Sequence, residues 1–432
     1  MGCDRAEMTD HAMIPRVRQD RQRRAARGIR HAGYPLLTAL LCLAALPASA
    51  SRLVLTNGAY TPIRVGPSKA HPRLTELPEG VPLWAEDKVG GWYRLRLARD
   101  LPAYAHEVSV RALEPGAPPP PGRMALVTVA PSEAGVRIVL SVGRRVPFRV
   151  RQFVAPQRLC LDLFGAETAD CRWRCLPIEN FVGGMRLRRL APDRTQLWIE
   201  LAGAQQRGYE VSYPDDHSLA LDIRRPYASA GLRGKMIVLD PGHGGRDEGA
   251  VGPSGLLEKD ANLAIAREVK GLLVERGSRV ALTRESDLPL TEPGSTARTE
   301  LTARVIRSRS LHPDIFVSIH CNHPGSDNRP DVAGTETYYW SPMSAQPAYL
   351  IQSALCREVG TASRLVAPGP FRVLRETDAP RVLLECCYIS SPAEEALLRD
   401  GEGRRRIAAG IVDGLCDYFR VAARPQGPTT HR

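Results

Sequence analysis

Two histidines and two glutamates stand where a hydrolytic metal site would need them. Asp240-Pro241-Gly242-His243-Gly244-Gly245 follows a short apolar run from Met236 to Leu239, and Phe316-Val317-Ser318-Ile319 leads directly into His320. Loops at the carboxyl ends of strands form the ligand-binding edge of an α/β sheet, so both histidines project from one edge if their strands are parallel neighbours. Glycines on either side of His243 let the backbone bend sharply and keep bulk away from the imidazole. A catalytic zinc takes three protein groups and leaves a fourth position for the water it activates. Glu258, in Gly255-Leu256-Leu257-Glu258-Lys259-Asp260, opens the following helix and can fold back as the third group. Glu385, after Arg381-Val382-Leu383-Leu384, is the candidate proton acceptor, because a carboxylate ending an apolar strand is costly unless paired or functional. Each residue alone has an ordinary reading: a histidine at a strand end is commonly just solvated, and Glu258 could simply complement a helix dipole. An anion loop is a poorer fit to Asp240–Gly245, which lacks the lysine and Ser/Thr of a phosphate-binding turn.

The elements that would position these groups alternate between strand and helix. Met236–Leu239, Val280–Leu282, Ile315–Ile319 and Val382–Leu384 have strand character. Leu263, Ala266, Val269, Leu272 and Leu273 have helical spacing that Gly277 ends, and further helices are expected around Ser353 and from Arg405 to Tyr418. This predicts an α/β catalytic domain over 233–421 with a mostly parallel sheet covered by helices on both faces. Two all-β domains are expected before it. Residues 51–115 are short alternating runs broken by Gly and Pro, and 116–122 is a proline-rich linker. Residues 123–226 contain a repeat: Gly143 to Asp162 and Gly203 to Asp222 have the same spacing, and Arg158-Leu159-Cys160-Leu161-Asp162-Leu163 is echoed by Ser218-Leu219-Ala220-Leu221-Asp222-Ile223. A second linker at 227–232 and a disordered tail at 422–432 complete the expected division.

At 432 residues the chain is long enough for several separate cores. Its first 50 residues pair an arginine-rich stretch with an apolar run, Leu36–Leu46, and then Ala48-Ser49-Ala50, the layout of a secretory signal peptide. Its removal would take away eight arginines and four acids, lowering the net charge from +12 to +8. No transmembrane anchor is expected in the remainder. A basic remainder suits a polyanionic partner, but no finger, basic helix or aromatic-bearing RNA motif argues for nucleic acid, so an acidic envelope polymer fits better. Among the cysteines, Cys160 with Cys171 or Cys175 is the best local disulfide pairing; Cys171 and Cys175 lack the second pair a zinc clip needs.

Val238 to Gly245, Glu258-Lys259, Phe316 to His320, Gly334-Thr335-Glu336-Thr337-Tyr338-Tyr339, Val373-Leu374-Arg375-Glu376-Thr377 and Val382 to Glu385 occur in one order over nearly all of 233–420. In order and spacing they resemble the zinc-dependent N-acetylmuramoyl-L-alanine amidase family. The resemblance implies one Zn2+ held by His243, Glu258 and His320, with Glu385 as general base. It also implies peptidoglycan as substrate, cleaved between N-acetylmuramic acid and L-alanine in cell-wall turnover or daughter-cell separation. Val136–Arg225 resembles the amidase N-terminal (AMIN) domain, and Gly91-Trp92-Tyr93-Arg94-Leu95-Arg96 resembles bacterial Src-homology-3-like domains; both imply wall binding. The periplasm of a Gram-negative bacterium, a monomer and envelope regulatory proteins as partners follow by the same analogy. The alternative is a catalytically inactive wall-binding regulator of hydrolases. Cys386, Cys387 and Tyr388 replace the family's small residue, Gly and Phe, and Cys321 adjoins a ligand position; these thiols are read as filler. Some members carry a long helical plug between the second histidine and the base, for which the residues between His320 and Glu385 leave no room.

Overall fold

The computed structural model describes residues 51–423 apart from 99, 169, 204, 293 and 326–328. The expected signal peptide and the tail beyond residue 423 lie outside the described residues; Ala422 itself ends a helix. Residues 52–115 supply a seven-stranded antiparallel sheet. Period-two alternation builds it: in Trp92–Ala98, Leu95 and Leu97 are buried while Arg94 and Arg96 face solvent.

The repeat folds into two facing sheets whose copies exchange strands. Gly135–Ser141 of the first copy pairs with Ser218–Arg224 of the second, and Gln157–Phe164 of the first pairs with Arg194–Leu201 of the second. Each sheet therefore draws on both copies, so neither can form alone. The proline-rich segment does not insulate this region from the sheet before it. Leu77 and Leu83 belong to the same contiguous buried cluster as Phe148, Leu161 and Leu221, and Thr75 Oγ1 donates to the Phe148 carbonyl at 3.0 Å.

The third region is built on a six-stranded sheet ordered Arg279–Leu282, Met236–Pro241, Ile315–Asn322, Arg381–Tyr388, Thr335–Tyr339, Ser363–Pro368. The expectation of a mostly parallel sheet needs refinement: the sheet is mixed. Four of its ladders are parallel and the one joining Thr335–Tyr339 to Arg381–Tyr388 is antiparallel. The chain leaves the His320 strand at Asn322 and re-enters the sheet at Thr335 on the far side of the Glu385 strand, running against it. Side chains divide by strand parity. Ile315, Val317, Ile319 and Cys321 join a large core with α1 (Glu258–Glu275), α3 (Ala345–Val359) and α5 (Gly401–Ala422). Phe316 points the other way and packs with Val305 of α2 (Ala297–Ser310), Val373 and Leu374. A short helix, α4 (Pro392–Arg399), links the Glu385 strand to α5.

α5 approaches α3 through two glycines. A Cβ added at Gly414 would lie 2.4 Å from the Cα of Ile351, and one at Gly410 would lie 2.7 Å from that of Leu355. Gly271, in α1, has nothing within 4 Å of the same added atom. The same substitution should therefore act with opposite sign at the two places. Gly414→Ala forces the helices apart and should cost about 1–3 kcal/mol, whereas Gly271→Ala should stabilise by roughly 0.5–1 kcal/mol. Urea-unfolding midpoints of the two variants test this, and equal shifts would contradict the packing described.

Candidate active site

The sheet register carries three of the four groups to one edge. Met236–Pro241 pairs with the His320 strand so that Pro241 lies beside Ile319, and His320 lies beside Glu385 on the next strand. His243 follows the first of these strands in a left-handed conformation, φ 61°. That conformation costs a non-glycine residue about 1–2 kcal/mol, so something must hold it. Arg304 of α2 does: its Nη2 donates to the His243 carbonyl at 2.6 Å, and its Nη1 reaches the Pro241 carbonyl and Asp240 Oδ1, each at 2.8 Å. Arg284 donates to the carbonyls of Pro241, Gly242 and Lys259. Gly242 is needed for close approach, since a Cβ there would meet the His320 ring at 2.2 Å.

Asp240 is fully buried. Burial by itself would raise its pKa, but Arg304 and the hydroxyls of Thr283 and Ser318 hold it below the ordinary carboxylate value. The loop is thereby stitched to a buried ion pair.

Glu258, the first residue of α1, sits between the two imidazoles. Its Oε2 lies 3.1 Å from His243 Nε2 and its Oε1 lies 3.1 Å from His320 Nδ1. The Ala250 and Cys321 amides also donate to it, at 2.9 and 3.2 Å. The three residues each offer a ligand atom within 4.8 Å of the others. Burial opposes ionisation of Glu258, yet both histidines together hold its pKa well below the usual range. Burial favours neutral His243, but Glu258 and Asp247 outweigh that and raise its pKa. Two imidazoles and an ionised carboxylate, partly open to solvent at the histidines, are a donor set suited to zinc. The residues fit such an ion.

Glu385 differs from its neighbours. Its Oε2 is sealed from solvent and has no hydrogen-bond partner. Burial, then Glu258 and Glu336, push its pKa well up. Glu336 lies opposite it across the antiparallel ladder. That second carboxylate accepts from the hydroxyls of Tyr338 and Tyr388 at 2.6 Å, and from Asn322 and Arg364 at 3.2 Å. Although burial opposes it, these donors lower its pKa. Glu336, Arg284 and Arg304 carry no role in the sequence reading. The first was signalled by an acid inside a strand, Thr335-Glu336-Thr337; the arginines gave no local signal.

Helix α4 secures the loops around this edge. Glu395 accepts from the amide and hydroxyl of Ser254, and Glu394 accepts from the amides of Gly334 and Tyr388. Cys321, Cys386 and Cys387 are buried in the apolar core, with burial raising each thiol pKa. The expected disulfide is not formed. Cys160 lies in the sheet opposite Cys175, and its sulfur instead accepts from Arg151 at 3.2 Å; Cys171 and Cys175 are free as well.

A family model described as N-acetylmuramoyl-L-alanine amidase matches residues 237–417. A probable cell wall amidase LytH of Staphylococcus epidermidis is 33% identical over 231 residues, covering 52% of this chain and 73% of the relative. The chain belongs to the N-acetylmuramoyl-L-alanine amidase family. Within that family, LytC of Bacillus subtilis is 35% identical over 191 residues, 43% of this chain and 36% of that one. Among solved structures, the catalytic domain of CwlV from Bacillus (Paenibacillus) polymyxa var. colistinus is 39% identical, with a TM-score of 0.39, over 43% of this chain and 99% of that chain. No helix among the described residues is long and apolar enough to cross a membrane.

The shifted groups set a pH dependence. Without metal, Glu258 has a folded-state pKa below its ordinary 4.5, so its stabilisation is complete above that pH and is lost on acidification. His243 has one above 6.5, so its stabilisation is complete below 6.5 and is lost as pH rises through the folded value. The metal-free site thus stabilises the protein most between about pH 4.5 and 6.5. Metal ligation needs neutral imidazoles, so added zinc should raise Tm more at pH 8 than at pH 6, and scarcely at all in His243→Ala or His320→Ala. Thermal unfolding with and without zinc checks this; an equal rise in those variants would place the ion elsewhere.

Proposed function

We propose that this chain is a zinc-dependent peptidoglycan hydrolase that cleaves the amide bond between N-acetylmuramic acid and the L-alanine of the stem peptide. The observation that carries the reading is the convergence of His243, Glu258 and His320 beside an unpartnered Glu385, in a member of the amidase family. A zinc ion held by the first three residues would polarise the scissile carbonyl, lower the pKa of the attacking water to about 7, and offset the negative charge around Glu385.

Glu385 is suited to carry the proton. Its Oε2 has no competing donor, and its surroundings make the carboxylate avid for a proton. It accepts the proton that the attacking water releases and delivers it to the departing nitrogen. Glu336 cannot share that task, because four donors saturate it and keep it ionised. Its role is to remain a fixed negative charge across the ladder from Glu385. The products are a free lactyl carboxylate on the muramic acid and a peptide beginning with L-alanine.

The regions upstream belong to the same reading. Residues 1–50 serve as an export signal, supported by their arginine-rich, apolar and small-residue layout. The strand-exchanged repeat at 123–226 acts as an AMIN-like wall-binding domain, and 51–115 as a Src-homology-3-like one. The Gram-negative periplasm is assigned by analogy only, from the export signal, the AMIN-like repeat and the extra β-domain together. The enzyme acts as a monomer on wall turnover or daughter-cell separation. Its site is open without a helical plug, since among the described residues the α-helix between His320 and Glu385, α3, packs on α5.

Digestion of purified peptidoglycan by the full chain, with mass spectrometry of the soluble products, tests this. The zinc-loaded protein should release stem peptides with a free L-alanine amine. Glu385→Ala should fold, retain zinc and lose about 10²–10⁴ in rate. A zinc-bound wild type that releases nothing would instead point to a wall-binding regulator or an enzyme awaiting an activator.

A further inference from the structure

Away from the candidate active site, the first sheet, the strand-exchanged sheets and α2 meet around a cavity of about 280 Å³. Arg73 and Arg375 border it. Burial lowers the pKa of each to about 10, and the effect is deepened by neighbouring guanidiniums, among them Arg64, Arg298 and Arg372. Five arginines from three parts of the chain thus crowd one place. Their counterions are few. Glu76 is shared by Arg73 and Arg375, Glu376 is shared by Arg372 and Arg309, Glu210 also pairs with Arg309, and Asp378 is taken by Arg381. Arg64 and Arg298 make no ion pair among the described residues. Arg372 Nη2 and Arg375 Nε are sealed from solvent without an acceptor.

A seam that only glued the regions together would balance its charges, because a buried cation without a partner is costly. Here the excess is positive and partly desolvated, which is what an oxyanion ligand would correct; guanidinium forks suit carboxylate geometry. The wall of the cavity is mixed, with Leu74, Val150, Val211 and Trp340 beside the cations. Apolar wall beside charge suits a peptide, which offers methyl and methylene groups next to its carboxylates, better than a bare phosphodiester chain. Arg298 and Arg309 stand about three turns apart on one face of α2. The charged strip therefore extends from the cavity toward the end of α2 beyond Arg304, the residue that holds the His243 loop.

We propose that this seam is a binding site for an acidic peptide, whose carboxylates pair with Arg73, Arg375 and Arg298. That the natural peptide comes from the cell wall rests on the hydrolase reading; the anion site does not. It differs from the cleavage site in its chemistry and its charge.

Calorimetric titration of the full chain with tri-glutamate, tri-glutamine and inorganic phosphate at low salt tests the proposal without any turnover. Tri-glutamate should bind, tri-glutamine should not, and salt should weaken the binding. Arg375→Gln and Arg298→Glu should each weaken it roughly tenfold or more, while Arg96→Gln on the exposed face of the first sheet leaves it unchanged. Arg298 lies on a solvent-facing helix turn, so its variant remains informative if Arg375→Gln destabilises the seam. Tri-glutamate binding that is absent, or indifferent to both variants, would overturn the site. Phosphate binding as tight as the peptide's would overturn the peptide assignment. Loss of peptidoglycan cleavage with tri-glutamate binding intact would sink the hydrolase reading alone.

Discussion

A carboxylate buried where the first strand of the catalytic sheet ends has to find a cation, and much of the active-site geometry follows from how Asp240 finds one. Arg304 reaches it from α2 with a side chain that is itself almost wholly enclosed. The donors left over do not go to water; they take the carbonyls of Pro241 and His243. Neutralising a charge and fixing a loop are therefore one event. The left-handed backbone of His243 is held by a guanidinium that cannot move without stranding Asp240, and Arg284 closes the same carbonyls from the other side. The imidazole is positioned by the core of the domain, although it sits on a loop.

The neighbouring acids show how one edge can hold three carboxylates in different states. Glu258 is held ionised by two imidazoles and two backbone amides, Glu336 by two phenols, an amide side chain and a guanidinium. Glu385 stands between His320 and Glu336 in the register, with no donor for Oε2. What separates their states is the number of protons aimed at each, together with burial, which donors offset at Glu258 and Glu336 and nothing offsets at Glu385. The single antiparallel ladder matters here, because it brings Glu336 to the edge where the parallel strands end.

The histidines, Glu258 and Glu385 were legible because each interrupts an apolar run or opens a helix, so residue type and position agree about the edge they face. Arg304 was not legible. It stands in a segment with Arg298, Arg307 and Arg309, and nothing local distinguishes the one that turns inward from those that meet solvent; only the buried Asp240 selects it. The direction of the Thr335–Tyr339 strand was hidden for a similar reason, being set by its pairing with the Glu385 strand, far away in sequence, and not by the strand's own residues. The repeat was readable from spacing, but the exchange of strands between its copies was not, because pairing partners lie far apart in sequence. Cys160 and Cys175 are close in sequence yet held in opposite sheets, so sequence proximity misled about their pairing.

The buried cluster shared by the first sheet and the strand-exchanged repeat has a further consequence. A proline-rich segment between two modules ordinarily acts as a tether, and the reach of one module from the other then depends on linker length. Here packed side chains span the join, and Tyr60 of the first sheet donates to Glu376 beside the catalytic sheet. The separation between the arginine seam and the His243 edge is thus set by strands in contact. The molecule behaves as a ruler, so a polymer can engage both places at once only when the spacing of its own groups matches.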